Sequence, residues 1–162
     1  MPENTPADLP TSPMIVRRGQ APSYAFSESE RYDFLFSGFP GQPEIFEGHG
    51  SKGDGAPLHR HPWASWEVVL EGSVRFRLGE EEVTLGPGDT IYVPAGYPHT
   101  FIIESETART IGMSFPAGSF EALTREAMPI FRSGEPPDPA KLAELAKRHQ
   151  VELLGPPMTP SS

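Results

Sequence analysis

The sequence predicts an all-β domain, a sandwich or a barrel, followed by a short helical extension. Three observations carry this. Short runs rich in β-branched and aromatic residues recur between Tyr32 and Phe115, clusters of Gly, Pro and Asp separate them, and beyond Phe115 the signals become those of helices.

In order, the predicted strands are YDFLF, EIFE, WEVVL, VRFRL, EVTL, TIYV, TFII and RTIGMSF, broken by turn clusters such as FPGQP, LGEEE, GPGD and PAGYP. Ser119 is placed to cap a helix over FEALTREAM. Asp138, with Pro139 at the first helical position, opens a second over AKLAELAKRHQ, and Gly155-Pro156 reads as its stop. In that second helix Leu142, Leu145, Ala146 and His149 share a face expected to lie on the outside of the β-core. The chain divides into a proline-rich disordered tail over residues 1–13, a β-domain over 14–118, a helical extension over 119–155 and a second disordered tail over 156–162.

Composition narrows the partners. Twenty-two acids against 13 bases leave a formal charge of -9, with no block of Lys and Arg to track phosphates, so neither nucleic acid nor an anionic membrane is an expected partner. No apolar run approaches the roughly 20 residues of a spanning helix, and the acidic, proline-rich N-terminus is unlike a signal peptide; a cytoplasmic location is expected. There are no cysteines, so a metal here must be held by nitrogen and oxygen.

The stretch HRHPWASWEVVLEG, His59 to Gly72, places two histidines in an H-x-H pattern. Alternation along a strand puts both side chains on one side, where two imidazoles can converge on one cation. This is half a site. In GDTIYVPAGYPHTFII, the turns at Gly88-Asp89 and Pro94-Ala95-Gly96 deliver His99 to the start of a strand, where a barrel can bring it across to the pair as a third ligand. With these residues the chain resembles the cupins. Gly53, His59, His61 and Gly72 fit the first cupin motif; Gly88, Pro94, Gly96 and His99 fit the second. The likeness spans roughly residues 45 to 115.

The resemblance implies a single cupin barrel, that is, a jelly-roll or double-stranded β-helix. It also implies a divalent transition metal (Fe, Mn, Ni or Zn) on His59, His61 and His99. Among cupins, three-histidine iron sites are associated with dioxygenases. The expected function is therefore a metal-dependent, oxygenase-type enzyme acting on a small anionic or aromatic molecule. The alternatives are a non-catalytic small-molecule- or metal-binding cupin, or a cupin isomerase or lyase.

Two positions depart from the family pattern: Ser65 stands where the motif has glutamate, and Ile103 where it has asparagine. Glu67, about 6.5 Å further along the strand, is the candidate substitute as ligand or proton acceptor. The pattern leaves its direction open. Trp66, Val68 and Leu70 form one apolar face, which sends Glu67 to water; the cupin alignment sends it into the barrel. Phe36, Trp63 and Phe101, with Trp66 and Tyr97 beside them, are candidates to line a substrate pocket. His49 and His149 are expected to be surface or packed residues, Arg75 and Arg77 a solvated strand face, and Glu80 to Glu82 a hairpin tip. The apolar outer face bearing Trp66, Val68 and Leu70 exceeds what a thin helical extension covers, so a homodimer is expected.

Overall fold

A computed structural model describes residues 9–39, 41–116, 119–132 and 135–162. The first eight residues of the expected N-terminal tail, and Pro40 of the FPGQP turn, lie outside the described residues. The strands are β1 (Ser23–Ala25), β2 (Arg31–Phe36), β3 (Glu44–Ser51), β4 (Pro57–Arg60), β5 (Ala64–Glu71), β6 (Val74–Leu78), β7 (Glu81–Leu85), β8 (Thr90–Val93), β9 (His99–Ile103), β10 (Thr107–Phe115) and β11 (Glu152–Pro157). The helices are α1 (Ser119–Phe131) and α2 (Pro139–Arg148). All eight predicted strands form. Two antiparallel sheets, ordered β1-β2-β3-β10-β5-β8 and β11-β4-β9-β6-β7, face each other as a barrel.

Alternation sets the interior. On β3, Glu44, Phe46, Gly48 and Gly50 are buried while Ile45, Glu47, His49 and Ser51 point the other way. Val69, Val74, Phe76, Ile103 and Ala108 form a core between the sheets. A second cluster lies beneath α1, where Phe120 meets Phe34 and Phe46 at centroid distances of 5.7 and 4.8 Å. Each buried ring stabilises by roughly 1.5–3 kcal/mol. Gly112 permits this packing, since a Cβ there would strike the Phe46 ring.

The helices differ from expectation at the start of α1 and the end of α2. The first-turn amides of α1 are capped from β3: the Glu44 carboxylate accepts from the amides of Phe120 (3.0 Å) and Glu121 (3.2 Å) and from Ser114 Oγ (2.7 Å). The start of α2 is as expected, Asp138 accepting from the Ala140 amide at 2.9 Å. Its end is earlier. Gln150 takes a φ of 57°, and the Val151 amide closes back on the Ala146 carbonyl at 2.8 Å, which frees the chain five residues before Gly155-Pro156. The released segment pairs with β4 as β11. The face carrying Leu142, Leu145, Ala146 and His149 packs against α1 and β11.

The C-terminal segment expected to be disordered is bound. Arg75 Nη2 donates to the Thr159 carbonyl at 2.6 Å, and the Ser161 amide and hydroxyl donate to Glu104 at 2.9 and 3.1 Å. Arg75 is therefore more than a solvated strand residue, and its ion pairs to Glu104 and Glu82, both 2.7 Å, brace this strap. On the outer face of the larger sheet His49 sits in a ladder of charges, 3.2 Å from Asp33 and 3.4 Å from Glu47. His149 lies 3.4 Å from Glu126.

Candidate metal centre

Each histidine of the predicted trio arrives by a different route. His59 lies on β4 directly opposite His99, the first residue of β9, and His61 follows just beyond the end of β4. The turn before β9 holds the third piece. The Gly96 amide donates to the His61 carbonyl at 2.7 Å, from a φ of +77° that favours glycine. One turn thus delivers His99 and pins His61.

The ring orientations follow from three short backbone hydrogen bonds. His59 Nδ1 reaches the Pro57 carbonyl at 2.7 Å, His61 Nδ1 the Trp63 carbonyl at 2.8 Å and His99 Nδ1 the Tyr97 carbonyl at 2.8 Å. A carbonyl only accepts, so each Nδ1 carries the proton and each Nε2 keeps its lone pair. The ring centroids are 4.5 to 5.4 Å apart, and one nitrogen from each ring lies within 4.8 Å of the other two. Burial, together with the neighbouring imidazoles, pulls His59 down to about 4 and His61 to about 3; burial also lowers His99. All three are neutral at pH 7, the state a cation requires. Three neutral nitrogen donors, each braced through its second ring nitrogen, fit a divalent transition ion.

No carboxylate joins this cluster among the described residues. Ser65 sits on the interior face of β5, as the cupin likeness implies. The question left open over Glu67 is decided: Val69, two residues on, is 1% exposed, whereas Trp66 is 37% exposed, so Glu67 faces inward. A bulge at Leu70 then turns Glu71 out to Arg109. The Glu67 carboxyl has no hydrogen-bond partner among the described residues, and burial raises it to about 7. It lines an internal cavity of about 20 Å³ together with Phe101, Ile103, Tyr32, Thr110 and Glu30.

The aromatic candidates separate. Phe101 belongs to the interior, two residues along β9 from His99. The Trp63 ring stacks on His61 at 4.2 Å and 7° and is only 3% exposed, so it is a wall for that imidazole rather than an open substrate surface. Phe36 is misplaced by the sequence reading. A bulge after Phe34 brings it opposite Ile45 on the outer face, where it stacks on Phe39 at 4.8 Å. Trp66 also faces outward, and Tyr97 is exposed. Sequence reasoning missed Glu30 and Tyr32. Tyr32 was findable from its alternation with the inward Phe34; nothing local marks Glu30.

Residues 50–113 match the Cupin domain family. The chain has a cupin-type fold. The match contains all three histidines of the cluster. Quercetin 2,3-dioxygenase of Bacillus subtilis (strain 168) is 32% identical over 98 residues. Those residues are 59% of this chain but 27% of that protein, so the chain spans about a quarter of the length of the curated relative. Among solved structures, an RmlC-like cupin from Shewanella frigidimarina NCIMB 400 is similar with a TM-score of 0.58 and 20% identity, covering 66% of this chain and 94% of that one. The polyketide cyclase RemF from Streptomyces resistomycificus follows at 0.54 and 24%, covering 64% and 79%. These two likenesses speak to the fold alone.

Proposed function

We propose that this protein is a metal-dependent enzyme in which His59, His61 and His99 hold one divalent transition ion, and that it carries out oxygenase-type chemistry on a small anionic or aromatic molecule. The observation that carries the reading is the set of three Nδ1–carbonyl hydrogen bonds, which leaves three Nε2 lone pairs free in a cluster where one nitrogen from each ring lies within 4.8 Å of the others. The likeness to quercetin 2,3-dioxygenase supports the oxygenase direction. Iron, manganese, nickel and zinc all suit an all-nitrogen donor set, and the bound ion supplies a Lewis-acidic centre with open coordination positions.

The chain's own residues shape the rest. With Ser65 in place of a carboxylate, nothing in the cluster offsets the charge of the cation, which favours an anionic substrate such as an enolate. A cavity of about 20 Å³ is too small for an aromatic ring, so an aromatic substrate binds outside it, with Phe101 as the candidate apolar contact. Glu67, poised near neutrality, is the proton acceptor. The second reading is a non-catalytic small-molecule- or metal-binding cupin, and the serine at position 65 is what favours it. Elemental analysis of protein made in metal-supplemented medium, followed by oxygen uptake with diketones, phenolic acids and flavonol-like compounds, separates the two. Uptake that requires both a substrate and His99 is expected. Tight ligand binding without turnover on iron, manganese, nickel or zinc would establish the binder.

The proposal includes a homodimer. Helix α1 inserts Phe120 into the aromatic end of the barrel, so the outer face keeps Trp66 37% and Tyr92 62% exposed. Light scattering should give twice the chain mass; a monomer at micromolar concentration would remove this part.

A further inference from the structure

Glu67 has company inside the barrel. The cavity it lines has room for one water molecule and is shared with Tyr32, Thr110 and Glu30. Its remaining wall includes Phe101 and Ile103, which follow His99 at alternate positions of β9, so cavity and His99 share one face of that strand. The Tyr32 hydroxyl donates to Glu30 Oε1 at 3.3 Å. Glu30 stands in the turn between β1 and β2, half-buried, with its amide fixed by Ser27 Oγ at 2.9 Å.

The charged and titratable neighbours can be named for each group. Glu30 faces Asp54 and Tyr32; Tyr32 faces Glu30, Glu67 and Asp54; Glu67 is governed by burial, and His49 also borders the cavity. Asp54 is itself engaged, accepting from Ser29 Oγ and the Ser51 amide, both at 2.7 Å. Burial and Asp54 raise Glu30 to about 7, and burial alone brings Glu67 to the same value. Two carboxyls, both raised toward neutrality, therefore border the cavity with one phenol. Burial and the adjacent carboxylates hold that phenol well above its usual range, so it conducts only in its neutral form.

We infer that Glu67, a water in the cavity, Tyr32 and Glu30 form a proton relay from the barrel interior to solvent at the turn between β1 and β2. Glu67 in its acid form gives a proton to the water, and the water passes one to the Tyr32 oxygen. Tyr32 gives its own phenolic proton to Glu30 Oε1, and Glu30 releases it to bulk. One proton moves outward, only O–H bonds form and break, and Tyr32 is neutral before and after. In turnover the relay resets Glu67 from the solvent side, which rests on the role of Glu67 proposed above.

The test needs neither metal nor turnover, so it stands apart from the oxygenase reading. In the metal-free full chain, the protonated-carboxyl infrared band of Glu67 is assigned by its disappearance in Glu67→Gln and followed after a rapid pH jump. Tyr32→Phe keeps the ring that packs on Phe120 and removes only the hydroxyl; Glu30→Gln keeps the shape and removes the outer acceptor. Both should slow protonation of Glu67 by on the order of tenfold or more, with its midpoint still near neutrality. Unchanged kinetics in either variant would overturn the relay. So would a Glu67 that titrates as an ordinary exposed carboxyl.

Discussion

Glu44 and Glu67 are both turned into the same barrel, one from β3 and one from β5, yet they live in opposite circumstances. Glu44 is 0% exposed and spans the gap to α1, accepting from two helix amides and from Ser114. Its charge is answered by the helix N-terminus. Glu67 has no hydrogen-bond partner among the described residues and is driven toward its neutral form. Burial of a carboxylate is thus a structural device where the fold supplies donors, and it raises the proton affinity of the group where it does not.

The largest effect is expected at the satisfied carboxylate. Glu44→Ala strands two helix amides and a hydroxyl and should lower unfolding free energy by about 3 kcal/mol or more, read from the denaturant midpoint. A loss below about 1 kcal/mol would break the contrast from that side.

Next comes Glu67→Gln, with the opposite sign. A carboxyl raised from 4.5 to about 7 on folding favours the native state only while protonated. Its contribution is lost as pH rises through that window. Removing the charge should therefore stabilise the metal-free protein at pH 8 by at most about 3 kcal/mol, and the gain should vanish below pH 4.5. Equal stability of the two proteins at pH 8 would show that the carboxylate finds donors after all.

The histidine cluster titrates against Glu67. His59 and His61 are depressed from 6.5 to about 4 and about 3, so their contribution is present above pH 6.5 and lost as pH falls through the folded values. Metal-free protein should lose stability on acidification from pH 6.5, and a stoichiometric divalent ion should shift that loss to lower pH, because it binds the neutral rings. Thermal melts across pH with and without metal check both. The smallest change is expected where neither carboxylate is involved: Trp63→Phe loosens the ring stacked on His61 and should weaken metal affinity by about tenfold, measured by competition with a chelator.

Much of this architecture is written locally. The strand runs, their turns, the Asp138-Pro139 helix start and the spacing of His59, His61 and His99 all depend on neighbours within a few residues, and all appear where the pattern puts them. The direction of Glu67 does not. Period-two alternation on β5 defines two faces but not which is inside, and here the more apolar face, Trp66 and Val68, is the outer one. Pairing with β8 and β10, far along the chain, makes that choice. The same holds for Phe36, turned outward by a bulge, and for Glu44, whose partners on α1 lie 76 and 77 residues away. It holds for the C-terminal segment too, where a glutamine in place of the usual glycine ended α2 early and Arg75 and Glu104 supplied the anchor. Sequence by itself determined which residues can bind a cation and which segments can be strands, because those are properties of residue type and local spacing. Tertiary structure decided which carboxylate is satisfied and which is left without donors among the described residues, because the donors that distinguish them come from elements that only the fold brings together.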